Sequence, residues 1–208
     1  MADVFLILHG WGGNKPAHWQ NHLAEKLAAA GADVRAPQMP DPTDPSPDAW
    51  MSVLHAALSD VPAGATLTVL THSLGAINWI RHAAMSQQAG FARPGVRADR
   101  VLLVAPPYVV PAIPPLDLAG AAGFFPPPLS PEGIQAVAGE TTIIASDSDD
   151  YATFDQSSAY AHGLGVDIQK LSGAGHISPY YGYGEWPWVF EWAMRRAAMP
   201  PLPNKQAK

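Results

Sequence analysis

Cysteine is absent from the 208-residue chain, which excludes a disulfide framework, a thiol nucleophile and zinc sites of the Cys type. Charge is scarce as well: Asp, Glu, Lys and Arg make up 14% of the residues, and 12 basic side chains face 18 acidic ones. The resulting formal net charge of -6 leaves no electrostatic footprint for nucleic acid or for an anionic membrane surface. A small neutral or apolar ligand fits better. The opening Met1-Ala2-Asp3-Val4-Phe5-Leu6 lacks a basic leader, and its apolar run is too short for a signal peptide or a membrane span. A soluble, cytoplasmic protein is therefore expected. Apolar residues, by contrast, are plentiful at 48%, enough for one substantial core. One domain is expected over residues 1–199, with 200–208 as a flexible tail.

Along the chain, strand and helix patterns alternate. Val4 to Leu8 reads as an apolar strand running into the glycine-rich turn His9-Gly10-Trp11-Gly12-Gly13, which lets backbone N–H groups face a ligand. Pro16 to Ala30 has helical spacing, with Trp19, Leu23 and Leu27 on one face, and Ala32 to Ala36 gives a second short strand. Prolines at 37, 40, 42, 45 and 47 make the next segment a surface connection before a helix over Asp48 to Asp60. Further strands are expected at Leu67 to Leu70, Arg100 to Ala105, Thr141 to Ala145 and Val166 to Leu171. Helices are expected after Gly75, over Phe154 to Gly163 and over Trp186 to Ala198. This alternation predicts an α/β fold, about six mostly parallel strands with helices on both faces. Pro106 to Pro131, apolar and proline-rich with almost no charge, reads as a short lid or a structural wrap.

The segment Leu67 to Ile80 carries the chemistry. A buried strand, the tight turn Thr71-His72-Ser73-Leu74-Gly75 and a helix nearly reproduce the G-x-S-x-G elbow, which exposes a serine hydroxyl at a helix N-terminus. Thr71 replaces the first glycine, and its β-branched side chain is expected to crowd the approach of strand and helix. Loops at the carboxyl ends of parallel strands form the ligand crevice of such sheets. Ser73 follows the third strand there, an acidic cluster (Asp147, Asp149, Asp150) the fifth, and His176 the sixth. Serine, then aspartate, then histidine is the chain order of the α/β-hydrolase triad.

The chain resembles a compact α/β-hydrolase of the YdeN-like group, which includes the retinoblastoma-binding-protein-nine serine hydrolases. The resemblance is carried by Leu6-Ile7-Leu8-His9-Gly10-Trp11-Gly12-Gly13, His18-Trp19-Gln20, Pro37-Gln38-Met39-Pro40-Asp41-Pro42, Thr71 to Ala76, Ala145 to Tyr151, Gly173 to Ile177 and Gly182 to Pro187. It implies Asp149 as the carboxylate that orients His176, with Asp147 and Asp150 as alternatives, and Asp150 standing where the family has proline. It implies an α/β-hydrolase-like sheet with its strands in the order 2-1-3-4-5-6, and an oxyanion hole from the backbone N–H groups of Leu74 and Trp11. Gly12, Tyr108, Tyr151, Tyr180 and Tyr181 are candidate substrate contacts, and Tyr183 is a further candidate for the entrance. His9 is read as steadying its turn, His72 as packing beneath the elbow, and Trp188 and Trp192 as core.

His18 and His22 stand at i and i+4, the spacing of a zinc pair, but without the glutamate of H-E-x-x-H or a third ligand. No metal and no cofactor is expected. The leading expectation is a serine hydrolase cleaving a small ester, thioester or activated amide through an acyl-enzyme. The alternatives are acyl transfer, cyclisation or another non-hydrolytic step on the same scaffold, and a non-catalytic binding module. A protein partner is possible without being indicated by the residues.

Overall fold

A computed structural model describes residues 3–89, 95–108 and 121–195. Its centre is a six-stranded sheet, wholly parallel, in the order β2-β1-β3-β4-β5-β6. The strands are β1 (Asp3–Leu8), β2 (Asp33–Arg35), β3 (Thr66–His72), β4 (Ala98–Val104), β5 (Ala138–Ser146) and β6 (Asp167–Leu171). The helices are α1 (Trp19–Ala29), α2 (Pro47–Ser59), α3 (Leu74–Met85), α4 (Pro131–Val137), α5 (Phe154–Leu164) and α6 (Pro187–Ala193). Strand order reverses between β1 and β3, and ligands of open α/β sheets bind at that reversal.

Side-chain alternation along the strands divides the core in two. Val4, Leu6 and Leu8 join Val69, Val101, Leu103 and Ile143 under α2, α3, α4 and α5. Phe5 and Ile7 join Leu70, Leu102, Val104 and Ile144 under Trp19, Leu23 and Leu27 of α1 and Trp188, Val189 and Trp192 of α6. Both faces being covered, the strands read as near-continuous apolar runs. Arg100 secures α6: its guanidinium lies 3.8 Å from the Trp192 ring and donates to that residue's carbonyl at 2.9 Å.

Several boundaries differ from the sequence expectation. Helix α1 begins at Trp19, because His18 is extended and caps it. Helix α4 stands where no element is expected, and β5 consequently starts at Ala138. The expected closing helix ends at Ala193, and residues 196–208, including the expected tail, lie outside the described residues. Of the proline-rich stretch 106–131, residues 109–120 also lie outside them. Its later part packs inward: Ala121 and Phe124 are fully buried, and the Phe124 ring meets Trp50 edge-on at 5.3 Å. Tyr183 is buried against Trp186 instead of standing at an entrance. Among the described residues no helix is long and apolar enough to cross a membrane.

Candidate active site

Every loop that matters leaves the carboxyl end of a strand. At the end of β3, Ser73 takes φ 53° and ψ -124°, a conformation costly for any residue with a Cβ. Its own N–H anchors the turn by donating to Val104 O at 2.9 Å. Close approach is made possible by two glycines. A Cβ on Gly10 would lie 2.7 Å from Ser73 Cβ, and one on Gly75 would lie 2.6 Å from the carbonyl oxygens of both Leu8 and His9. Thr71 is therefore not the point of crowding. Fully buried, it turns its hydroxyl to Leu102 O on β4 at 3.1 Å, a backbone partner that a glycine would leave unused.

Gly75 offers a direct test. Alanine there would favour the helix by about 1 kcal/mol on propensity alone, whereas forcing a methyl against two rigid carbonyls costs typically about 1–3 kcal/mol. The collision should win. Gly75→Ala is expected to lower the urea midpoint and, by pushing the Leu8–His9 backbone outward, to lower activity as well.

His176, at the end of the loop after β6, places Nε2 2.9 Å from Ser73 Oγ and Nδ1 2.9 Å from both carboxylate oxygens of Asp149. Asp149 is held by its own turn, since its Oδ1 accepts the Tyr151 N–H at 2.9 Å. An Asx-type turn thus shapes the backbone without the expected proline. Asp150 instead accepts a hydrogen bond from the Tyr181 hydroxyl. Asp147 is committed elsewhere, accepting the Gly173 N–H at 2.8 Å, and this bond holds its carboxyl below the usual range.

The two loops are clipped together residue by residue. Beside that Asp147–Gly173 bond, Ser146 Oγ accepts from Ala174 N–H and Ser148 Oγ from Gly175 N–H, each at 3.0 Å. Two further donors hold the carbonyls just beyond. His72 Nε2–H donates to His176 O at 2.9 Å, and Trp19 Nε1–H donates to Ile177 O at 3.0 Å. Ile177 has φ 48°, an outlier for a β-branched residue, and this bond helps to hold it there. His72 thus does more than pack.

On the facing side, His9 receives the Met39 N–H at Nε2 (2.9 Å) and so directs Nδ1–H to Gly10 O (2.7 Å). Trp11 Nε1–H donates to Thr43 O at 3.1 Å, and Gly12 N–H donates to Pro42 O at 2.8 Å. The proline-rich connection 37–47 is in this way stapled to the glycine turn. The backbone N–H groups of Trp11 and Leu74 have no hydrogen-bond partner among the described residues. Leu74 opens α3, where such orphan donors and the helix dipole favour negative charge.

A cleft of about 270 Å³ opens over Ser73 and His176, lined also by Trp11, Tyr151, Tyr180 and His18. Of the expected substrate contacts, Tyr151 and Tyr180 line it, whereas Gly12, Tyr108 and Tyr181 do not. Tyr108 packs on Tyr160 at 5.1 Å, and Tyr181 lies against Gly175 with its hydroxyl on Asp150. Both are turned to structure. His18, which the sequence pairs with His22, lines the cleft itself.

Known proteins agree with this architecture. The chain is similar to YdeN of Bacillus subtilis (strain 168), described as a hydrolase, at 23% identity over 194 residues, 92% of this chain and 94% of that protein. The crystal structure of the ydeN product matches with a TM-score of 0.75 at 21% identity, covering 94% of this chain and 98% of that one. A YdeN-like hydrolase from Pectobacterium atrosepticum matches at 0.67 and 19% identity over 94% of each chain. Est1E from Butyrivibrio proteoclasticus, solved with ferulic acid, matches at 0.62 and 12% identity over 94% of this chain and 89% of that one. At such identities these likenesses establish the α/β-hydrolase fold. The sequence profile of the serine hydrolase family matches residues 5–194, and the chain belongs to that family.

Proposed function

We propose that this serine hydrolase cleaves small, neutral or apolar carboxylic esters through an acyl-enzyme on Ser73. The observation that carries the proposal is the unbroken line from Ser73 Oγ to His176 Nε2 and from His176 Nδ1 to Asp149, 2.9 Å at each step. His176 takes the hydroxyl proton as Ser73 attacks the carbonyl carbon, then returns it to the departing alcohol oxygen. Asp149, fixed by the Tyr151 N–H, keeps the proton on Nδ1 and stabilises the imidazolium. Water repeats the cycle on the acyl-enzyme and releases the acid. The unpartnered N–H groups of Leu74 and Trp11 receive the oxyanion, each supplying about 3 kcal/mol to the transition state. The size of the cleft and its Trp11, Tyr151 and Tyr180 walls favour a short acyl chain.

Thr71 and Asp150, the departures that favour a non-catalytic binding module, each have a structural partner and leave the triad geometry whole. Labelling decides between the two. A fluorophosphonate should label the wild-type protein stoichiometrically and leave Ser73→Ala unlabelled. A folded wild type that takes no label would establish the binding module instead.

A further inference from the structure

Four buried polar side chains line the cleft: His18, His72, Ser73 and His176. In three of them every donor hydrogen is accounted for. Ser73 and His176 bond each other, and His72 gives its Nε2–H to His176 O. His18 is the exception. Only 6% exposed, it caps α1 with its ring: Nδ1 accepts the Gln20 N–H at 3.2 Å. That bond fixes the tautomer, because a nitrogen that accepts cannot carry the proton, so the hydrogen is on Nε2. Nε2–H has no partner among the described residues.

The Nε2–H is not one of the fully buried unpartnered atoms among the described residues, so with its ring at the wall of the cleft it is open to an arriving oxygen that can accept from it. The ring's position says which part of a substrate that would be. His18, His72 and His176 form a row, with ring centroids 4.8 Å and then 5.0 Å apart. The oxyanion donors are backbone groups: Trp11 N–H lies on the same β1–α1 connection as His18, and Leu74 N–H follows Ser73 at the start of α3. Because His176 must pass its proton to the departing alcohol oxygen, the His176 side of the cleft is the alcohol side.

Building on the esterase reading, we propose that His18 is a specificity residue whose Nε2–H donates to a second oxygen in the alcohol part of the ester. The favoured substrates are then esters of glycol-like or polyol alcohols. Burial and the neighbouring imidazoles push the His18 ring down to about 4, so at neutral pH it presents one neutral donor. Such a donor suits an uncharged ether or hydroxyl oxygen, and a site built this way discriminates against the analogue that lacks the oxygen.

The cap and the donor can be separated chemically. In His18→Asn the amide oxygen has the reach of Nδ1 and caps α1, but no N–H reaches the Nε2 position; His18→Ser is a second cap-competent residue without that reach. In His18→Gln the amide N–H has the reach of Nε2, while the cap is lost. The substrates are n-butyl butyrate and 2-methoxyethyl butyrate, which differ by one CH₂-to-oxygen exchange in the alcohol. Butyrate release is followed by pH-stat, and the quantity read is the ratio of the two kcat/KM values, in which intrinsic reactivity cancels between variants. The preference for the methoxyethyl ester should fall about tenfold in His18→Asn and His18→Ser. It should stay within about threefold of wild type in His18→Gln, whose Tm is lower for want of the cap. A ratio that is unchanged in the cap-competent variants, or that follows Tm across all of them, overturns the proposal while leaving the esterase reading intact. A wild type that is neither labelled by fluorophosphonate nor active on either ester overturns both.

Discussion

Ser73→Ala and His176→Ala should each lower turnover of a simple ester on the order of a million-fold, and the double variant should lose no more than either single one. The reason is geometric. With a single 2.9 Å bond joining Oγ to Nε2, the serine has no base without the histidine, and the histidine has nothing to deprotonate without the serine. Two independent contributions would multiply; parts of one device do not. Asp149→Asn should be less severe, a loss of about ten-thousand-fold, because the histidine and serine remain but the carboxylate charge is lost and an NH₂ donor replaces one of the two oxygens facing Nδ1, so the tautomer is no longer fixed. Residual activity over background is then expected to come from the backbone donors of Leu74 and Trp11, which none of these substitutions removes. Steady-state rates with a nitrophenyl ester, together with circular dichroism of each variant, check the pattern. Losses that multiplied in the double variant would mean that Ser73 and His176 act in separate steps.

The sheet and its loops are largely legible in the sequence, and the reason is burial. Strands covered on both faces must be apolar runs, so Leu67 to Leu70 and Arg100 to Ala105 stand out, and the residues that follow them stand out as polar interruptions at strand ends. Helix α4 is hidden because seven residues span only two turns, too few to establish a period, although Ser130-Pro131 is a capping signal that could have marked it. The clips from Ser146, Asp147 and Ser148 to Gly173, Ala174 and Gly175 are invisible for another reason. They join side chains to backbone N–H groups about 27 positions away, and neither propensity nor periodicity reports such a pairing. The crowding expected at Thr71 falls at Gly10 and Gly75, since only three dimensions show which backbone comes near. His18 illustrates the same limit. In sequence it suggests half of a metal pair, whereas in space its Nδ1 is spent on a helix cap and its ring lines the cleft.

Those buried imidazoles also predict acid lability. Burial lowers His9, takes His72 well below the usual histidine value and, with repulsion from His176 and His9, brings His18 to about 4. In the unfolded chain each titrates near pH 6.5. Above that value neither state is protonated and stability is complete. As pH falls from about 6.5 towards 4, the unfolded chain takes up protons that the native state refuses, so stability declines throughout that window. One unit of separation is worth about 1.4 kcal/mol, so His18 alone accounts for about 3 kcal/mol by pH 4, a substantial share of a typical domain's stability. Hydrogen bonding reinforces the effect, because two of the rings serve as acceptors. A proton on His18 Nδ1 would face the Gln20 N–H and uncap α1, and a proton on His9 Nε2 would face the Met39 N–H and release the proline-rich connection. Urea titrations from pH 8 to pH 4.5 should therefore show a stability plateau followed by a steep fall. His18→Asn, which keeps the cap and removes one titrating ring, should flatten the fall by that ring's share. A decline that began only below pH 4.5, in the range of the carboxylates, would mean that these rings protonate freely in the folded protein. Within the predicted window, the first contacts to fail are those that frame the catalytic cleft, so activity should be lost at or before the unfolding midpoint.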